Sequence, residues 1–144
     1  MLCAVLLTRA DAATTERIVV DRHSGLALGG IDPVAYFTES KAAKGAEDFE
    51  IFESGAVWRF RSDGNREAFR SRPDIYRPQF GGYDPVDAAR GVTVAARPAL
   101  WLIVNDRLYL FSREDNRTHF TGNAASVLRD AARNWPRLLE TLAE

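Results

Sequence analysis

The sequence uses one short device twice. Gly29-Gly30-Ile31-Asp32-Pro33-Val34 returns as Gly81-Gly82-Tyr83-Asp84-Pro85-Val86, 52 positions from Asp32 to Asp84. A Gly-Gly pair admits positive φ and a close backbone approach that a side chain would block. Asp before Pro then starts a helix. The carboxylate accepts from the free amides of the first turn, and Pro at the first helical position gives up a donor that would be unpaired anyway. The device predicts two short helices, over residues 33–39 and 85–90, the second stopped by Gly91. The echo covers six residues, so it reads as convergent use of one device rather than as a duplicated domain.

The stretches between the two copies read as strands and further short helices. Ile18-Val19-Val20 and Leu26-Ala27-Leu28 are short strand candidates around the turn His23-Ser24-Gly25, and residues 41–48 read as a loop. In Val57-Trp58-Arg59-Phe60-Arg61 apolar and charged residues alternate, which puts Trp58 and Phe60 on one face. With the turn Ser54-Gly55 before it, residues 49–61 form a β-hairpin. Ser62 caps a helix through Phe69 that ends by Pro73, and residues 75–78 form a tight connection. Residues 100–111 form a second hairpin about Asn105-Asp106, a pair that tolerates positive φ, with strands apolar enough to be central. Ser112 is positioned to cap a helix over residues 113–120, broken by Gly122-Asn123. Ala124, Leu128, Ala131 and Trp135 recur at helical spacing, with Pro136 to end or kink that helix. Short helices among hairpins, without repeated βαβ crossovers, specify an α+β fold with a small antiparallel sheet.

With 144 residues, 46% of them apolar, the chain is one domain that can bury a core without staples. Nineteen basic against twenty acidic residues leave a net charge of −1, which argues against a nucleic-acid or polybasic membrane surface. No apolar run reaches the ~18 residues of a spanning helix. Leu2 to Leu7, followed by Ala10-Asp11-Ala12, resembles the end of a signal peptide over residues 1–12, its true start upstream, which leaves 13–144 as a single domain with C-terminal helices. The expected location is then periplasmic or secreted, with cytoplasmic as the alternative. Cleavage after Ala12 would remove Cys3, the only thiol.

Few residues are candidates for chemistry. The two histidines, His23 and His119, share no ligand spacing, and soft metals prefer thiolate, thioether or imidazole. No cofactor is expected, and His23 and His119 are only weak metal candidates. No nucleophile elbow and no phosphate-binding glycine pattern occurs. Tyr36, Tyr76, Tyr83 and Tyr109, with Trp58 and Trp101, are read first as core. Tyr83, in a loop beside Gly82 and Asp84, is the best functional aromatic.

These motifs add up to a resemblance. The stretch Gly29 to Phe37 looks like the opening motif of bacterial YHS-domain proteins. Trp58-Arg59-Phe60-Arg61-Ser62, Asn65-Arg66-Glu67-Ala68-Phe69 and Tyr76 to Tyr83 are similar to that domain's central stretch. Residues 101–110 and Asn134-Trp135-Pro136 resemble its longer, exported branch. The resemblance covers residues 24–138 in order. It implies a small α+β domain related to metal-associated, zinc-ribbon-like modules, an exported location and no activity that can be carried over. The family commonly places a Cys after the Gly-Gly-aromatic step, where this chain has Asp84, and shorter members often place one after Asp-Pro-Val, where it has Ala35.

The resulting expectation is an exported YHS-like module that binds a small molecule or a protein. Its candidate ligand residues are Asp32, Tyr36, Tyr83 and Asp84, where the second Gly-Gly loop approaches the first helix start. The alternatives are a metal-handling protein using Asp84, Asp32 and a His, and an enzyme with Asp84 as acid or base; the reading leans against an enzyme. Because Asn caps nearly as well as Asp, Asp84→Asn is expected to leave stability intact.

Overall fold

The computed structural model describes residues 17–142; residues 1–12, read above as a signal peptide, and Cys3 lie outside them. After an isolated antiparallel bridge between Val20 and Ala27 comes a single 3-10 turn at Leu28–Gly30. Helix α1 spans Ala35–Thr38, strand β1 Ala46–Glu53 and strand β2 Ala56–Phe60. Helices α2 (Asp63–Ser71), α3 (Pro73–Tyr76) and α4 (Pro85–Ala89) follow, then β3 (Arg97–Val104), β4 (Arg107–Phe111) and α5 (Glu114–Glu140). The fold is α+β, with two separate antiparallel hairpins, β1-β2 and β3-β4.

The six-residue echo is the visible end of a much longer repetition. Leu28-Gly29-Gly30 and Phe80-Gly81-Gly82 both run through three successive positive φ values, 56, 60 and 87° against 56, 64 and 89°. Beyond the Asp-Pro step the offset drops from 52 to 51 residues and then holds. Asp32 N–H donates to the Ala43 carbonyl, as Asp84 N–H does to that of Val94. Ala46 pairs with Phe60 and Arg97 with Phe111, and both hairpins then shift register before continuing, Ile51 opposite Trp58 and Leu102 opposite Tyr109. The hairpin turns Ser54-Gly55 and Asn105-Asp106 both use two left-handed residues, the pattern that matches strand twist. Convergent use of a helix start does not account for a shared register, so the sequence-based limit of six residues is corrected to residues 28–69 and 80–120.

The cores repeat as well. In the first copy Phe69 of α2 meets Trp58 and Phe60 of β2 at 5.0 and 5.1 Å between ring centroids. In the second, Phe120 of α5 meets Tyr109 and Phe111 of β4, both at 5.1 Å. Val34 and Val86 pack into the respective clusters. Strand β4 serves both. Alternation along the strand puts Leu108 and Leu110 in the first cluster and Tyr109 and Phe111 in the second. The strand is buried on both faces as its apolar run suggests, whereas β3 is only half-buried.

Some local expectations change. Residues 46–48 belong to β1 rather than to a loop. Ser62 does cap α2, its Oγ accepting from Asn65 N–H at 3.1 Å, but Ser112 is turned away from α5 and bonds elsewhere. Gly122-Asn123 interrupts α5 where expected: two helical stretches meet there at a kink. Asn123 leaves helical geometry at φ −140°; its Nδ2 donates to the His119 carbonyl, and Ser126 Oγ donates to the Asn123 carbonyl. The helix runs through Pro136.

The extension of α5 beyond Gly122 has no counterpart in α2, which stops at Ser71. It packs along α4, where Asn134 Nδ2 donates to the carbonyls of Ala88 and Ala89, two acceptors at the C-terminal end of that short helix. Among the described residues, no helix is long and apolar enough to cross a membrane.

Candidate functional site

Asp32 and Asp84 are fully buried, and each is enclosed by donors. One oxygen of each does what the Asp-Pro step predicts: Asp32 Oδ1 accepts from Val34 N–H, and Asp84 Oδ1 from Val86 N–H, both at 2.8 Å. The other oxygen ties the helix start to the far end of the hairpin. Asp32 Oδ2 accepts from Arg61 N–H at 2.8 Å and Asn65 Nδ2 at 2.7 Å. Asp84 Oδ2 accepts from Ser112 N–H at 2.7 Å, Ser112 Oγ at 2.9 Å and Asn116 Nδ2 at 2.9 Å. Each carboxylate thus joins three elements of its own copy, and charge-assisted bonds of this kind are the strong ones.

The second copy adds a carboxylate that sequence reasoning missed. Asp87 stands where the first copy has Ala35 and shares the donors of Asp84: Ser112 Oγ and Asn116 Nδ2 both lie 3.1 Å from its Oδ2. Arg90 Nη1 is 3.2 Å from Asp87 Oδ1, and Arg113 Nη2 3.9 Å, so two guanidinium groups face the pair of acids. An Asp inside a helix's first turn gave no sequence signal beyond favourable helix electrostatics.

The two nominated tyrosines are core residues. Tyr36 is buried, lies edge-on to Trp101 at 5.4 Å and donates its hydroxyl to the Pro98 carbonyl at 2.7 Å, a bond between the two copies. Burial pushes its phenol well above the ordinary tyrosine range. Between the ordinary pKa of about 10 and that raised value, the unfolded chain loses this proton while the folded chain keeps it, so stability falls as pH rises past ~10. Tyr36→Phe is expected to cost about 1 kcal/mol at neutral pH. It should also make the alkaline loss shallower, as urea unfolding on either side of that pH would show. Tyr83 is fully buried, its ring 6.2 Å from that of Trp135.

The four nominated residues therefore come together only as paired supports, Asp32 with Tyr36 and Tyr83 with Asp84. Open space lies beside them, along the segment 17–21. Val19 N–H donates to the Gly81 carbonyl at 2.8 Å, and a Cβ at Gly81 would overlap the Arg17 carbonyl, so here glycine permits both the positive φ and the contact. On one side of this crossing is a cleft of about 220 Å³ between the two Gly-Gly loops, lined by Val20, Leu28, Gly29, Gly82 and Pro98. Asp21 also borders it; its carboxyl is held below the usual range chiefly by the Ser24 amide. On the other side is a larger cleft of about 530 Å³, reached by Arg77, Trp135 and Leu139. Sequence reasoning named Trp135 as helix-face core and passed over Arg77.

His23 and His119 are both exposed, and among the described residues no three His, Cys, Asp or Glu side chains are grouped to hold a metal ion. Comparison with family models, with curated proteins and with solved structures finds no match.

Proposed function

We propose that this chain is an exported, YHS-like binding module without catalytic chemistry of its own. Its ligand is taken up on the face where residues 17–21 cross the Gly81-Gly82 loop. The observation that carries the reading is the division of labour between the carboxylates and the clefts. Asp32 and Asp84 have their oxygens occupied by the chain's own donors, and the open volume lies next to the loops they brace. A general acid or base needs a proton within reach of substrate, and a buried carboxylate ringed by donors offers none. Support for the YHS likeness is the ordered run of motifs from residue 24 to 138, and support for export is Leu2 to Leu7 followed by Ala10-Asp11-Ala12.

Native mass spectrometry of the protein recovered from its own host tests both parts. The expected species begins at Ala13 and carries one non-covalent small molecule. A chain retaining Met1 would contradict export. A bare chain, or turnover of the released molecule by the purified protein, would contradict the binding-module reading.

A further inference from the structure

We infer that the larger cleft binds an amphiphilic organic anion, a carboxylate or sulfonate on a flat apolar body. This rests on the binding-module reading and adds the ligand's chemical class. The cleft's volume, about 530 Å³, is that of a small-molecule site. It is walled by the first hairpin's turn, the segment at Arg17 and Ile18, the Arg77 loop and the far end of α5.

The chemistry of those walls is donor-rich and apolar. Arg77 is aimed by its own bonds: Nε donates to the Pro73 carbonyl at 3.2 Å, and Nη1 to Ser54 Oγ at 2.9 Å. A guanidinium held in this way keeps its Nη2 donors for an anion, at little further entropic cost. Glu53 Oε1 lies 3.3 Å from the same Nη1 and offsets part of the charge, which points to micromolar rather than tighter binding. Opposite, Leu139 and the Trp135 indole supply apolar wall, and the indole is fixed edge-on by Phe80 at 5.3 Å. An indole ring and a fixed guanidinium together favour a flat ligand with a charge at one end. Trp135 and Leu139 also belong to the part of α5 that the first copy lacks, so this wall is an addition to the repeated unit.

The test uses two fluorescent probes of like shape on the full chain: 8-anilino-1-naphthalenesulfonate, which is anionic, and N-phenyl-1-naphthylamine, which is neutral. The anionic probe is expected to bind one-to-one and more tightly than the neutral one. Arg77→Gln should weaken the anionic probe about tenfold, as loss of one charge-assisted hydrogen bond implies, and leave the neutral probe nearly unchanged. Because Arg77 also faces Glu53, a second variant is needed. Leu139→Glu, on a half-exposed helix position, brings a carboxylate to the rim and should weaken the anionic probe similarly with an unchanged melting midpoint. Equal binding of both probes, non-saturating binding, or indifference of the anionic probe to both variants would overturn the inference. An uncharged native adduct would overturn the anion class while leaving the binding module standing.

Discussion

Asp84→Asn is expected to destabilise the fold by about 2–4 kcal/mol, the cost of unpairing buried charge-assisted bonds. This reverses the expectation from helix capping alone. Asn keeps one acceptor and replaces the other with a donor. If the amide oxygen stays toward Val86, the new NH2 group faces Ser112 N–H and Asn116 Nδ2, which are themselves donors. If the amide flips, Val86 N–H loses its acceptor. Neither orientation satisfies the site, and at 0% exposure bulk water does not reach it. Asp32→Asn should behave alike, because Asp32 meets Arg61 N–H and Asn65 Nδ2 in the same way. Urea unfolding of the two variants checks this. A loss under about 0.5 kcal/mol in both would mean that the carboxylates act as simple caps.

Phe69→Ala and Phe120→Ala are each expected to cost about 3–5 kcal/mol, the range for truncating a buried aromatic. Each ring is fully buried and touches two aromatic rings of its own copy. The more discriminating result is the shape of the transition. Since β4 presents Leu108 and Leu110 to one cluster and Tyr109 and Phe111 to the other, opening either cluster strips a face from the same strand. Both variants should therefore lower one shared midpoint in calorimetry. Two resolved transitions, with only one moved by each variant, would show that the copies unfold separately.

Much of this architecture was legible in the residues, and the reasons for the misses are physical. Helix starts at Asp-Pro and the hairpin turns rest on local chemistry within a few residues, so they could be read directly. The repetition was missed because its second part slips by one residue, which breaks a fixed-spacing comparison just after Val34 and Val86. The signal that survives the slip is Trp58-x-Phe60, then Asn65 and Phe69, against Tyr109-x-Phe111, then Asn116 and Phe120. Side-chain bonds across ~30 residues, such as Asn65 to Asp32, leave no periodicity to find. Ser112 was assigned to the nearer backbone amides, whereas Asp84 supplied a charged acceptor. The candidate site was only half legible. The Gly-Gly loops marked its neighbourhood, but its walls at Arg77 and Leu139 come from segments with no motif of their own.

The shared strand also sets an order of events during synthesis. The N-terminal copy cannot close its core when its own last residue emerges, because Leu108 and Leu110 lie some forty positions downstream of Phe69. Until β4 has left the ribosome, Trp58, Phe60 and Phe69 present an open apolar surface to whatever receives nascent chains.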